Sequence, residues 1–199
     1  MNTKDMLKTA KENYVPGQQL GTRINALESL YCKSEEEAKR FFELVKDRLM
    51  DVNAWKCTAA GKFPEVSLND TNGKKVERRA QVGDFIQFSI KGKHCNWASI
   101  TQIVHNQREH GEVVQLIVEP ISEKGEKEQN GNSIFQVRRR GKLITAEEQG
   151  NNDLPNADVF VPINSLRNSF ISWGAKMATS YPIWKALVVG ILKRNTLSN

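Results

Sequence analysis

The chain has 199 residues, of which 39% are hydrophobic and 26% are charged, and its formal net charge is +6. This balance is typical of one globular domain with its own core, and it argues against a disordered or fibrous chain. The three cysteines, Cys32, Cys57 and Cys95, lie far apart and form no CxxC pair. We therefore expect neither a disulfide framework nor a structural zinc site, and we expect the protein to reside in a reducing compartment.

The apolar segments are too short for a targeting or membrane-spanning role. The N-terminal segment MNTKDMLKTAKENY lacks the apolar core of a signal peptide. The longest apolar run, ALVVGIL at 186–192, is far shorter than the roughly 20 residues that a membrane-spanning helix needs. We therefore expect a cytoplasmic protein that does not associate with membranes.

The N-terminal third is predicted to contain one strong helix. Residues 1–21 are polar and are read as an arm, which leaves residues 22–199 as a single domain. From Arg23 to Tyr31 apolar residues recur at helical spacing, which favours a helical stretch. The segment 34–50 predicts an amphipathic helix, because Ser34 and Glu37 form a capping box ahead of an apolar stripe. That stripe consists of Ala38, Phe41, Phe42, Val45 and Leu49.

Short strands are predicted from about residue 52 to residue 148. NAWKCTA alternates, with Trp55, Cys57 and Ala59 on one face. FPEVSLND and KKVERRA flank an Asn72-Gly73 pair, which is typical of a hairpin turn. The segments DFIQFSI, WASITQIV, EVVQLIVEP, SIFQVRR and KLITAEE continue the alternation. They indicate an antiparallel meander of seven or eight strands.

The arginine-rich segment FQVRRRGKLITA is predicted to be a hairpin tip. Alternation turns Phe135 and Val137 inward and Arg138 outward. Gly141 would supply the positive φ of the turn, either at Arg140-Gly141 or in a bulged three-residue loop. Arg138 and Arg140 are therefore expected to be exposed.

Two helices are predicted at the C-terminal end, over about 162–178 and 181–194, from apolar residues at helical spacing. The predicted fold class is thus α+β. A curved antiparallel meander, open or barrel-like, is packed by one N-terminal and two C-terminal helices. A helix-grip arrangement is kept as an alternative only, because a long helix precedes every clear strand.

Four segments resemble a family of uncharacterised bacterial proteins of about 200 residues. They are VGDFIQFSI, NWASI, FQVRRRGKLITAEEQGNNDLPN and WKALVVGILK. The resemblance runs from about Leu27 to Leu192. It implies one cytoplasmic domain with integral C-terminal helices, and it brings no activity and no functional residue with it.

The aromatic residues suggest a ligand pocket between the sheet and the helices. Core packing is the favoured reading for each tryptophan, because each ring buries a large area. The functional alternative is an apolar cavity for a small hydrophobic ligand. It would be lined by Trp55, Phe88, Trp97 and Trp173.

The basic residues suggest an anion or nucleic-acid contact. The excess of Lys and Arg over Asp and Glu is +1 in residues 1–61 (10 against 9), +4 in 62–142 (14 against 10) and +1 in 143–199 (5 against 4). This mild bias is weaker than the basic stripe of a dedicated nucleic-acid binder. The candidate contacts are Lys74, Lys75, Arg78, Arg79, Arg138, Arg140 and Lys142.

The histidines do not indicate a metal site. His94 precedes Cys95, but neighbours on a strand face opposite sides. His105 and His110 flank the predicted turn at 106–111 and would need a third ligand, Glu109 or Glu112. Solvated turn residues are the favoured reading. No metal and no cofactor are predicted.

The function expected from the sequence is non-enzymatic. The chain contains no GxxxxGK[ST], GxGxxG or GxSxG motif. A domain that binds a small apolar ligand or a protein partner is favoured, with nucleic-acid binding and an enzyme with a sheet–helix cavity as alternatives. The wide apolar face of the last helix is expected to dock on the sheet. A homodimer through Ile183, Leu187 and Ile191 is kept as an alternative.

Overall fold

The computed structural model describes residues 23–59, 63–89, 95–122, 132–151 and 180–194. Within this part of the chain, seven antiparallel strands form one curled sheet, a half-barrel, in the order β1-β7-β6-β5-β4-β3-β2. The strands are β1 (Arg23–Tyr31), β2 (Glu65–Asn69), β3 (Phe85–Ser89), β4 (Cys95–Arg108), β5 (Gly111–Ile121), β6 (Asn132–Arg140) and β7 (Leu143–Asn151).

Three α-helices accompany the sheet in the described residues: α1 (Glu35–Met50), α2 (Trp55–Ala59) and α3 (Ser180–Ile191). Helix α1 contacts β5, β6 and β7, whereas α3 contacts β1, β7 and α2. The predicted α+β class with a curved antiparallel sheet is confirmed. The predicted helix at 162–178 lies outside the described residues. None of the described helices is long and apolar enough to cross a membrane.

The helix predicted over 34–50 is confirmed. Ser34 is its N-cap, and the Ser34 Oγ accepts a hydrogen bond of 3.1 Å from the Glu37 N–H. The Glu37 carboxylate in turn accepts from the Lys33 N–H at 2.6 Å. The apolar stripe faces the core through Ala38, Phe42, Val45 and Leu49. Three glutamates in the first turn suit the positive end of the helix dipole.

The helical stretch predicted for residues 23–31 is wrong, because these residues form β1 at one edge of the sheet. Each residue of β1 pairs with β7, from Arg23 opposite Asn151 to Tyr31 opposite Leu143. Alternation then buries Ala26 and leaves Leu27 41% exposed. A strand therefore precedes the first long helix, and the reason given against a helix-grip arrangement does not hold.

Two further strand predictions are wrong. NAWKCTA forms a 3₁₀ turn over Val52–Ala54 and helix α2, in which Trp55 and Ala59, four residues apart, are buried while Cys57 is exposed. The predicted strand KKVERRA is reduced to an isolated bridge between Lys75 and Asn69. The turn before it is as expected, with Gly73 at a φ of 75°.

The arginine-rich hairpin forms as predicted in outline. Phe135 and Val137 are buried at 1% and 0% exposure. Arg140 pairs with Leu143, so the hairpin turn consists of Gly141 and Lys142. This is one position later than the predicted two-residue turn at Arg140-Gly141. Gly141 has a φ of 57°, which favours glycine.

Helix α3 docks on the sheet, so the face suggested for a homodimer is occupied. Leu187 and Ile191 are buried at 0% and 2% exposure, and Ile183 packs against the core. The end of α3 is held by Arg48 of α1, whose Nη1 donates to the Ile191 carbonyl at 2.9 Å and to the Lys193 carbonyl at 2.5 Å. The docking prediction is confirmed, and the homodimer alternative loses its surface.

Candidate functional site

The concave face of the half-barrel carries a fully buried carboxyl group, Glu148 of β7, next to the edge strand β1. In β7 the inward side chains are Ile144, Ala146 and Glu148, which alternate with outward ones. Glu148 lies opposite Phe135 of β6 and Ala26 of β1 in the register of the sheet. Both of these neighbours are buried and apolar. The strand pattern alone therefore places an ionisable group in the core.

Glu148 is fully buried, at 0% exposure, among the described residues. Neither carboxyl oxygen has a hydrogen-bond partner there. Burial raises the pKa of the Glu148 carboxyl to about 8; the nearby Ser133 side chain opposes the shift and the charge of Glu147 adds to it. The group is therefore neutral at pH 7, with one hydrogen to donate and two oxygens that can accept.

Aromatic rings pack beside Glu148. Phe135 lies 4.9 Å from Trp55 and 5.1 Å from Trp184, measured between ring centroids. Trp184 also meets Phe88 at 6.1 Å and Phe63 at 5.9 Å in edge-to-face geometry. This aromatic cluster, formed by Trp55, Phe63, Phe88, Phe135 and Trp184, joins β3 and β6 to α2 and α3.

The four residues suggested as pocket lining do not share one surface. Trp55 and Phe88 are fully buried and belong to the aromatic cluster. Trp97 is half-buried and pairs with Gln87, so it lies on the opposite face of the sheet from Phe88. The prediction that Trp97 lines the pocket is therefore wrong. Its partner Gln87 is one residue away from Phe88, and neighbouring residues of a strand face opposite sides of the sheet. Trp173 lies outside the described residues.

A buried arginine, Arg139, lies on the same concave face, nearer the hairpin turns. Arg139 of β6 is 3% exposed, and in the register it lies between Glu112 of β5 and Ile144 of β7. Its Nε and Nη1 have no hydrogen-bond partner among the described residues. Of its neighbours in the arginine run, Arg140 is exposed as predicted, whereas Arg138, also predicted to be exposed, is half-buried.

Glu112, beside Arg139, is held by two other side chains. Its Oε1 lies 2.7 Å from Lys46 Nζ and 2.7 Å from His105 Nε2. Burial works to raise the pKa of Glu112, but the hydrogen bonds from Lys46 and His105 outweigh it, and the pKa lies below its usual value. Lys46 also contacts the exposed carboxylate of Glu43 at 2.9 Å. Glu112 is therefore a satisfied carboxylate.

The histidines do not converge. His105 points to the concave face and engages Glu112, one of the two carboxylates considered as a third ligand. His110 lies in the β4–β5 turn, 3.8 Å from the carboxylate of Glu109. His94 is outside the described residues. No group of three His, Cys, Asp or Glu side chains with metal-site geometry occurs among the residues that the structure describes.

Two of the seven basic candidates are paired with carboxylates, and the other five are half-buried or exposed. Arg78 forms two hydrogen bonds to the buried Asp84, at 2.6 and 2.8 Å, and Arg79 bonds Asp47 at 2.5 Å. The remaining side chains form two groups that belong to turns separated by four strand spacings. They are Lys74 and Lys75 near one turn, and Arg138, Arg140 and Lys142 at the other. These basic side chains therefore do not form one continuous cationic surface in the part of the chain that the structure describes.

An open groove of about 680 Å³ lies between α1 and residues 77–79. It is lined largely by polar and charged side chains, Asp47, Arg48 and Arg79 among them. The Arg79–Asp47 ion pair and the Arg48 hydrogen bonds to the α3 carbonyls already use these charges.

Sequence reasoning does not place Arg139 in the core and favours a solvated Glu148 at a strand end, although the same alternation points both side chains inward. Arg139 is two residues beyond Val137, which was placed inward, and Glu148 is two residues beyond Ala146. Period-two counting therefore places two charged side chains on the apolar face. The predicted inward face of β6 and β7 contains only the apolar residues of the alternation.

Comparison with known proteins assigns the chain to no family and finds distant similarity to two solved structures. No family model matches the chain, and neither does any curated protein. A hypothetical protein from Helicobacter pylori, solved at 1.88 Å, shares 9% identity over 89% of this chain and 97% of its own, with a TM-score of 0.48. Ara h 8.0201 shares 14% identity over 87% of this chain and 100% of its own, with a TM-score of 0.36. The family resemblance stays a prediction.

Proposed function

We propose that the chain is a binding domain for a small, largely apolar ligand that carries one polar group. The ligand occupies the space between the concave face of the sheet and helices α2 and α3. Glu148 is its polar anchor, and the aromatic cluster supplies its apolar contacts. The observation that carries this proposal is the fully buried Glu148 carboxyl, whose two oxygens have no partner among the described residues.

The energetic argument concerns the unmet hydrogen bonds. A buried polar group without a partner costs about 1–3 kcal/mol relative to one that is satisfied. A hydroxyl or carbonyl group of a ligand would recover that free energy, because a neutral carboxyl both donates and accepts. The apolar side chains around Glu148 would in turn favour a ligand that is otherwise apolar.

Binding requires the aromatic rings to move. Trp55, Phe135 and Trp184 are in contact, so a ligand that reaches Glu148 must separate at least one pair of rings. Trp184 lies on α3, which Arg48 holds at its C-terminal end and Lys185 holds near its middle through Glu28. We expect α3 to shift on binding, and tryptophan emission to report the shift.

The test is a titration with the neutral apolar probe N-phenyl-1-naphthylamine, followed by competition with decanol and decane. We expect saturable binding at one site, and competition by decanol at lower concentration than by decane. Glu148→Leu should weaken competition by decanol about tenfold, which corresponds to the loss of one hydrogen bond.

Glu147→Gln is the matched control, because Glu147 is adjacent on β7 and faces the other side of the sheet. It should leave probe and decanol binding unchanged. Probe binding that fails to saturate would contradict the proposal, as would decanol competition that is the same in Glu148→Leu as in the parent protein.

A further inference from the structure

The Arg139 guanidinium is a buried cation without a counter-charge of its own. Arg139 is 3% exposed, and two of its three nitrogens have no hydrogen-bond partner in the described part of the chain. A charge in this position is strongly disfavoured unless it is paired, because water no longer solvates it. The nearest carboxylate in the register is that of Glu112, which already binds Lys46 and His105.

The charges around Arg139 leave one positive charge uncompensated. Glu112 is its cross-strand neighbour, and the Glu112 Oε1 binds both Lys46 and His105. Lys46, Glu112 and Arg139 are the buried or nearly buried members of this cluster, and their formal charges add to +1. Glu43 also contacts Lys46, but its side chain is 66% exposed, so water largely screens its charge.

We propose that Arg139 is the binding residue of a site for one oxyanion, a carboxylate or a phosphate, and that Lys46 and His105 form its rim. A guanidinium binds such groups through charge-assisted hydrogen bonds. The rim provides access, because the His105 side chain is 53% exposed while Lys46 is 17% exposed. A bound anion would contact the unpartnered nitrogens of Arg139 and complete the charge of the cluster.

The oxyanion site is distinct from the position of Glu148. Four residues separate Arg139 from Phe135, the cross-strand partner of Glu148. At about 3.3 Å per residue the two groups lie roughly 13 Å apart along the concave face. The oxyanion therefore comes either from a small free anion or from the head group of an elongated apolar ligand that extends toward Glu148.

The test measures the melting temperature of the full chain at constant ionic strength, with chloride as the reference anion. Separate titrations use inorganic phosphate, acetate and decanoate, with decanol as the uncharged counterpart of decanoate. We expect a saturable rise in melting temperature with at least one of the three oxyanions. A response to phosphate or acetate identifies a free anion. A response to decanoate alone, without decanol, identifies the head group of an apolar ligand.

Two variants link the response to the guanidinium. Arg139→Gln should weaken oxyanion binding at least tenfold, which is the loss of one charge-assisted hydrogen bond or more. Arg140→Gln is the matched control, because it removes an exposed arginine from the adjacent position, and it should bind as the parent does. Non-specific stabilisation by excluded salts would affect both variants equally and would overturn the proposal.

A third variant separates binding from a structural role. Arg139→Met removes a buried, unpaired charge, so in chloride buffer it should melt no lower than the parent protein, and it should not respond to oxyanions. A melting temperature well below the parent for both Arg139→Met and Arg139→Gln would show that the guanidinium is satisfied within the protein. That outcome would overturn the oxyanion site and leave the apolar-ligand proposal, which depends on Glu148, untouched.

Discussion

Gly190 of α3 lies directly against the backbone of Thr58 in α2. A Cβ placed at position 190 would stand 1.9 Å from the Thr58 carbonyl oxygen and 2.6 Å from its carbonyl carbon. Contacts this short do not occur between real atoms, so the two helices approach this closely only because residue 190 has no side chain. The two tryptophans of the aromatic cluster, Trp55 of α2 and Trp184 of α3, both pack on Phe135, at 4.9 and 5.1 Å between ring centroids.

Gly190→Ala is expected to destabilise the protein by about 1–3 kcal/mol, because the methyl group forces α3 away from α2. The sign of the change in the free energy of unfolding distinguishes this steric effect from helix propensity. Helix propensity alone would make the same substitution stabilising by about 1 kcal/mol. Urea unfolding followed by tryptophan emission measures the change. Val189→Ala, at a neighbouring position that is 42% exposed, should change the free energy of unfolding by less than about 0.5 kcal/mol.

The buried Glu148 should make stability depend on pH. Its pKa is raised from 4.5 to about 8 in the folded protein, so between these values the folded state holds a proton that the unfolded state releases. Folding is therefore most favoured by this group below pH 4.5, and the contribution is lost as the pH rises toward 8. From pH 5 to pH 8 the expected loss is on the order of 2–4 kcal/mol.

Glu148→Gln should remove this pH dependence and unfold at higher urea concentration than the parent at pH 8. Urea unfolding at pH 5, 6.5 and 8 measures the difference. Glu147→Gln, on the other face of β7, should retain the slope of the parent protein. Identical slopes in Glu148→Gln and the parent would mean that Glu148 is ionised in the core, and the idea of a neutral anchor would fall.

Asp84 is expected to stabilise the start of β3. It is 2% exposed, accepts two hydrogen bonds from Arg78 and accepts a third from the Gln81 N–H at 2.9 Å. Asp84→Ala should cost about 2 kcal/mol, because these charge-assisted hydrogen bonds are lost together. Arg79→Ala, which breaks the exposed ion pair to Asp47, should cost less than about 0.5 kcal/mol. Equal losses in urea unfolding would show that burial does not distinguish the two pairs.

The arginine run should tolerate charge reversal at its outward positions. Arg138→Glu combined with Arg140→Glu is expected to keep the circular dichroism spectrum and to change stability by about 1 kcal/mol or less, because both side chains avoid the core. Arg139→Glu should instead unfold the protein or lower its melting temperature strongly, since it places a second carboxylate beside Glu112. A severe loss in the double variant would refute the assignment of faces.

The sequence predicted well those elements whose pattern is local. Helix α1 follows from the Ser34–Glu37 cap and an apolar stripe, and the strands β3 to β7 follow from alternation and short polar turns. Residues 55–59 are wrongly predicted as a strand, because Trp55 and Ala59 fit both a strand face and one helical turn. In so short a segment only the exposed Cys57 distinguishes the two.

Strand β1 and the cluster of Lys46, Glu112 and Arg139 are harder to predict, since both depend on distant residues. Nothing near Arg23 to Tyr31 specifies a strand, and pairing with β7, more than a hundred residues later, decides its conformation. Alternation could have placed Arg139 and Glu148 inward. That Glu112 is already engaged by Lys46 depends on where α1 crosses the sheet, which no local pattern encodes.

The pairing of β1 with β7 also constrains the order of folding during synthesis. Strands β2 to β7 form hairpins with near neighbours and can pair as they leave the ribosome, whereas β1 waits as an unpaired strand until residues 143–151 are made. The loop closed by this pairing is long, so closure is slow compared with hairpin formation. The nascent chain therefore exposes β1 for most of its synthesis, and chaperone binding should concentrate on residues 23–31.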